Sequence, residues 1–242
     1  MESLFHHVVY LPIYNLLVFL VDIIPGGDLG LAVIGATIVV KLILLPLSLA
    51  AVRTQRAMKI LEPELKDLKE RYKDDKETQA REMFALYKKH NVKPFASILM
   101  LFVQLPILFG LYFVSQAALS EVDPALLYSF VAVPTTLSPF FLGIFALGST
   151  SIVLALAAAA TQLLQAWYMI PIPPKSTSTT PSMQEEFGRA VSVQARFVFP
   201  LLIGFIAYSS GVLALYFIAS NLFMVAQEFV VRKLHPEPSA LT

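Results

Sequence analysis

From Leu29 to Val52 the chain runs through 24 residues whose only charged side chain is Lys41. A helix needs about 20 apolar residues to cross the hydrocarbon of a bilayer, and in lipid a backbone satisfies its polar groups only as a helix or a closed barrel. Similar runs occur at 94–118 and 149–170, and 57% of the 242 residues are hydrophobic against 14% charged. That balance is wrong for a soluble core and predicts an all-α integral membrane protein. Lys41 lies twelve residues from both Leu29 and Arg53, about 18 Å at 1.5 Å per residue, too far for its ammonium to snorkel easily to water. A cation at that depth costs ~2.5 to 3.5 kcal/mol on insertion scales and marks a residue with a use.

Charge patterning sets the topology. Of the 18 Lys and Arg, 12 fall between Arg53 and Lys93. From Phe197 to Val231 the only charge is Glu228, in a stretch too long for one span and short for two. A break at Ser209-Ser210-Gly211 predicts two short spans, 196–209 and 212–231. Two spans place Arg232 and Lys233 on the side of the 53–93 and 171–195 loops, as the positive-inside rule favours. The expected layout is five transmembrane helices, at 29–52, 94–118, 149–170, 196–209 and 212–231. The N-terminus is then outside and the 232–242 tail cytoplasmic, with an outside loop at 119–148. The shortness of the last two spans predicts local thinning of the bilayer.

Residues 1–28 hold a further helical stretch, interrupted by Pro12, Asn15 and Asp22. His6, Tyr10 and Tyr14 share one face, with Val9, Ile13, Leu16, Leu20 and Ile23 turned away, a pattern that suits an interfacial helix on the outer surface better than a span. No Lys or Arg precedes Val8, so no cleavable signal is expected. In the 53–93 segment Leu61, Leu65, Leu68 and Tyr72 recur at helical spacing, as do Ala80, Met83, Phe84 and Tyr87, predicting a charged cytoplasmic helical hairpin. It is either a simple solvated hairpin or a docking surface for cytoplasmic factors. The 171–195 loop, rich in Pro, Ser and Thr, reads as flexible.

The usual partner of an intramembrane cation is a carboxylate on a neighbouring helix, but the interiors of the five spans contain no Asp or Glu. Water in a cavity, loss of the proton on desolvation or a partner from another molecule remain. Thr37 and Ser48 share the Lys41 face. Ser97, Gln104 and Ser115 line one face of the second span, Gln162 and Gln165 pair on the third, and Tyr216, Ser220 and Gln227 align on the last. Such residues serve either as interhelical hydrogen-bonding glue or as the lining of a shared hydrophilic groove, and four stripes around one cation favour the groove.

Enzyme classes find little footing. All four histidines lie outside the spans, and no interior pair of carboxylates exists for aspartyl chemistry. No Gly-rich phosphate loop is present. The chain has no cysteine, hence neither disulfides nor a cysteine metal site, and no metal or cofactor is expected. Eight acidic residues interleave with the bases of 53–93, which fits a solvated helical face rather than nucleic-acid binding.

The order of these features resembles a known family. Lys41 followed by Leu44-Leu45-Pro46-Leu47, then Met58, Leu61-Glu62-Pro63-Glu64-Leu65, Tyr72, Leu86-Tyr87-Lys88, Pro94, Gln104-Leu105-Pro106-Ile107 and Leu111-Tyr112 is similar to the YidC/Oxa/Alb membrane protein insertases. Pro200, Gly211-Val212-Leu213-Ala214-Leu215-Tyr216, Asn221 and Gln227 extend the likeness through residues 1–235. The resemblance implies a five-helix core around a groove open to the cytoplasm and lipid and closed to the outside, in the bacterial inner membrane. Lys41 matches the family's groove cation, and the polar stripes above then make Thr37, Ser48, Gln104, Gln162, Gln165, Tyr216 and Ser220 the expected rest of a substrate-binding lining, with nascent membrane proteins as substrates. The ribosome and Sec components are implied partners of 53–93, membrane lipids are partners throughout, and no cofactor is needed. This chain departs from the family's pattern at Lys41, where arginine is usual, at Phe217, where Trp often stands, and at Lys93, where Asn often precedes the Pro. Asp28 leads straight into the first span, so the large extracellular domain of longer bacterial members is not expected. The rival readings are a small ion or solute transporter using Lys41 as a binding site, which predicts an internal repeat not seen here, and a scaffold subunit.

Overall fold

A computed structural model describes residues 2–90, 92, 96–170 and 189–234. The helices are α1 (Glu2–Phe5), α2 (Leu11–Ile23), α3 (Leu29–Ile43), α4 (Leu45–Arg71), α5 (Lys76–Lys89), α6 (Ala96–Ser120), α7 (Ile152–Met169), α8 (Phe199–Tyr208) and α9 (Gly211–Leu234). A π-helical turn at His6–Tyr10 runs into α2 and another at Gln194–Val198 runs into α8. The only strands among the described residues, β1 (Phe140–Phe141) and β2 (Phe145–Ala146), form one antiparallel hairpin. The protein is an all-α integral membrane protein. Among the described residues five unbroken helices are long and apolar enough to cross a bilayer, His6–Ile23, Phe102–Ser120, Ile152–Met169, Arg189–Tyr208 and Gly211–Lys233, and the pair Leu29–Ile43 and Leu45–Thr54, bent by 62°, passes the same test together.

Of the expected five, 29–52 is that bent pair, and 6–23 is a further candidate. The run 29–52 is not one helix. It breaks at Leu44 (φ −83°, ψ −2°), and α4 starts with Pro46 at its second position and continues through Val52–Arg53 into the charged segment. Pro46 has no amide to donate, and its ring crowds the carbonyl four residues back, which ends α3 there. The N-terminal segment qualifies by length and apolarity as well as the others do. Its buried face is Ile13, Tyr14, Leu17, Val18 and Val21, so Tyr14 lies inside, not on an outer polar stripe, while Ile23 is exposed. His6, Tyr10 and Tyr14 do stack in a ladder, with ring centroids 5.1 and 5.9 Å apart.

The last two helices are separated at Ser209–Ser210. The candidate spans they form, Arg189–Tyr208 and Gly211–Lys233, are 20 and 23 residues long, so their length gives no mismatch. Only the apolar part of the first, Phe197 to Tyr208, is short, at about 18 Å. The 171–188 part of the expected flexible loop, the tail from His235 and the Ser97 side chain lie outside the described residues.

The chain forms two compact units, 1–41 with 109–242, and 42–108. In the second, α4 and α5 make the expected hairpin around buried Leu61, Leu65, Leu86 and Val92, with Met58, Leu68, Met83 and Tyr87 packed against them. Phe84, expected on that face, is exposed. Asp75 caps α5 by accepting from the Thr78 amide at 3.0 Å and the Thr78 hydroxyl at 2.6 Å, and these bonds hold its carboxyl below the ordinary value of 3.8. Gln79 ties the helices by donating to Lys69 O at 2.9 Å.

In the first unit α7 packs on both α8 and α9. The approach to α8 is close because Gly204 faces Ala159; a Cβ there would sit 2.9 Å from the alanine methyl. Small residues bring membrane helices together in this way. One end of this unit carries a cap made by the 121–151 loop. Ser138 N donates to Gly27 O at 2.8 Å, Leu29 N donates to Ser138 O at 3.1 Å, and Asp28 accepts from Leu31 N at 2.9 Å and Leu142 N at 2.6 Å. One carboxylate thus caps α3 and anchors the hairpin. Phe141 fills the space over Gly30, and Leu147, fully buried, lies against Gly211 at the start of α9.

Candidate functional site around Lys41

Lys41 stands near the end of α3 and is 6% exposed. Thr37, one turn before it, is also buried, but its hydroxyl donates to Val33 O at 2.7 Å. That donor is satisfied within its own helix, so Thr37 offers other groups only acceptor lone pairs. On α9, Tyr216 and Ser220 are both buried, one helical turn apart. Their hydroxyls are neighbours, although Tyr216 Oη makes no hydrogen bond of good geometry. Gln162 and Gln165 on α7 are half-buried. These six residues belong to the first unit. Ser48, buried on α4, and Gln104, half-buried on α6, belong to the second.

The first unit buries Ser115 of the second-span stripe and, beyond the stripes, Asn221. Ser115 on α6 is fully buried, and its hydroxyl, like that of Tyr216, has no hydrogen-bond partner among the described residues. Asn221 is buried on α9 and donates to Thr161 Oγ1 on α7 at 3.3 Å, a cross-helix bond of the kind the glue reading expected. Meanwhile the lipid-side surface is apolar: Leu201 is 74% exposed and Phe205 77%.

Two arginines hold the C-terminal end of α7. Arg196 donates to Trp167 O at 2.9 Å and lies 4.3 Å over the Trp167 ring. Arg232 donates to Tyr168 O at 2.7 Å and lies 4.3 Å over the Tyr168 ring. Each guanidinium satisfies a carbonyl that the helix end leaves open and adds cation–π attraction. Glu228, the carboxylate at the end of the last span, accepts from Arg232 Nε at 2.8 Å. No group of three His, Cys, Asp or Glu that could hold a metal occurs among the described residues.

The described residues thus combine apolar helices long enough to cross a membrane with a set of buried polar side chains, Lys41 among them. A family model described as 60Kd inner membrane protein matches residues 20–238. The chain belongs to that family. Similar curated proteins carry the name membrane protein insertase YidC. The one from Clostridium tetani is 30% identical over 218 residues, 89% of this chain and 87% of its own length. That from Fusobacterium nucleatum is 32% identical over 209 residues, 86% of this chain and 87% of its own. That from Cellvibrio japonicus is 32% identical over 207 residues, but this chain spans only 33% of its length. The resemblance read from Lys41 through Gln227 thus stands for the family as a whole, while the role of each residue at the site rests on the physical argument.

Proposed function

We propose that the protein is an insertase and chaperone for newly made membrane proteins, guiding them into the bilayer through a hydrophilic groove around Lys41 that faces the cytoplasm. The observation that carries this reading is Lys41 itself, buried near the end of α3 within the family that the chain belongs to. Its ammonium attracts acidic or polar parts of an incoming segment. Buried hydroxyls of Ser115 and Tyr216 are stabilised by polar occupants of the same interior, since a buried polar group left unbonded costs about 1 to 3 kcal/mol. Gln162, Gln165 and Ser220 supply further polar lining. The α4–α5 hairpin receives chains from the ribosome or Sec components. No step needs a covalent intermediate or a cofactor.

The orientation we infer has the N-terminus and the 121–151 cap outside, with the 53–93 segment inside. Closure on the outside is supported by the cap, which covers the first turns of α3 and α9. The helix at 6–23 is inferred to lie across this outer end. Midway along it, Asn15 donates to Leu126 O at 3.0 Å and accepts from Tyr128 N at 2.6 Å, while Tyr14 Oη accepts from Asp123 N at 2.7 Å. Those partners directly follow the end of α6. A transverse span would carry them, with the Asp123 charge, to the bilayer centre.

Photocrosslinkers at Lys41, Gln104 and Gln162 test the reading with ribosome-bound membrane-protein chains. Adducts to the nascent chain at all three positions are expected. Absence of adducts, with normal insertion by Lys41→Glu, overturns it.

A further inference from the structure

We propose that the β1–β2 hairpin is a membrane contact of its own, with its tip, Leu142-Gly143-Ile144, seated in the headgroup and acyl-chain boundary of the adjacent leaflet. Three observations meet there. The first is exposure: Leu142 is 56% and Ile144 71% exposed, and Phe130 and Phe140 of the same loop are exposed too. The second is charge. From Pro124 to Ser151 the loop contains no Asp, Glu, Lys, Arg or His, whereas a loop bathed in water ordinarily carries charge. The third is depth. The hairpin is fastened to the first turn of α3 through Asp28 and Gly30, and the segment that follows it lies against Gly211 at the start of α9. Its tip therefore sits level with the helix ends, where the hydrocarbon begins, and not on a stalk above it.

The turn itself carries a further sign. Residues 141–144 close through a bond from Ile144 N to Phe141 O at 3.1 Å, and both central residues have positive φ, 54° at Leu142 and 69° at Gly143. Turns of that hand favour Asn, Asp or Gly at the first central place. Leucine there works against backbone preference, and an apolar side chain at the tip is what is gained. Lipid is the occupant that fits an uncharged apolar tip at this depth, because the same leaflet already covers the exposed faces of the neighbouring helices. The proposal rests on the membrane architecture and is independent of any role in insertion.

The chain has no cysteine, so a single Ile144→Cys in the full-length protein can carry a polarity-sensitive fluorophore. It is reconstituted in phosphatidylethanolamine–phosphatidylglycerol vesicles, with Glu121→Cys as the exposed reference. The expected result is blue-shifted emission, stronger quenching by a nitroxide at the fifth acyl carbon than at the twelfth, and about tenfold less iodide quenching than at Glu121→Cys. Adding Leu142→Asn, which suits the turn, should keep the hairpin formed and at least halve the quenching by the shallow nitroxide. Iodide quenching equal to the reference, or stronger quenching at the twelfth carbon, overturns the proposal. So does protection from both quenchers that changes with protein-to-lipid ratio, since a second copy would then cover the tip.

Discussion

The α4–α5 hairpin and the group of α7, α8 and α9 use the same kinds of residue with opposite sides turned inward. In the hairpin Leu61, Leu65 and Leu86 are buried while Glu62, Glu64, Lys66 and Asp67 face out. In the helix group Tyr216, Ser220 and Asn221 are buried while Leu201, Phe205 and Leu222 face out. Water drives the first arrangement, because removing apolar surface from it is favourable. Lipid offers no such drive, so the second depends on close packing of small residues and on polar contacts between helices. The same substitution should therefore have different consequences in the two regions.

The largest effect is expected at the buried cation, Lys41. Lys41→Glu should lower insertion of substrates with acidic translocated segments by at least ~10-fold, the factor that about 1.4 kcal/mol of lost attraction gives, and Lys41→Arg should keep it near the wild-type level. Insertion assays with paired acidic and neutral substrates decide this; equal losses for both would remove the electrostatic account. Next, Leu61→Ala should destabilise the hairpin by ~2 to 4 kcal/mol, seen as faster amide exchange over residues 61–87. Phe205→Ala, which only trims a lipid-facing side chain, should change stability by less than ~0.5 kcal/mol. If the two shifts are alike, the inside-out contrast fails.

Asp28→Ala should cost ~1 to 3 kcal/mol locally, as it removes a helix cap and leaves the Leu142 amide without its acceptor. Faster proteolysis across 138–147, with α7 to α9 unaffected, is the expected readout. The smallest effect concerns Asp75. Its carboxyl titrates below the ordinary 3.8 in the folded hairpin, so its contribution is present above that value and is lost as the pH falls through the lower folded one. Amide exchange at Thr78 should quicken only in that acid range, and Asp75→Asn should abolish the dependence.

Much of this was legible from pattern. Period and length located the hydrophobic stretches, the Ser209-Ser210 break and the inward face of Leu61, Leu65 and Leu68, because each depends on residues close in sequence, whereas Leu86, which joins that core from the second helix, stood in neither periodic set. Pro46 was visible too, yet the end of α3 was hidden inside an unbroken apolar run, and hydropathy does not register a missing amide. The burial of Tyr14 depended on a partner 109 residues away at Asp123, and the double role of Asp28 on one 114 away at Leu142. Thr37 was placed correctly on the Lys41 face, but a side-chain bond back to its own helix carries no sequence signature.

Trp167 is the only tryptophan in the chain, and it lies beneath the Arg196 guanidinium at the junction of α7 with the helix leading into α8. The protein therefore contains its own optical probe at that joint. A stacked cation perturbs indole emission, so loosening of the joint, by a passing chain or by Arg196→Ala, should register as a change in intrinsic fluorescence with no label added.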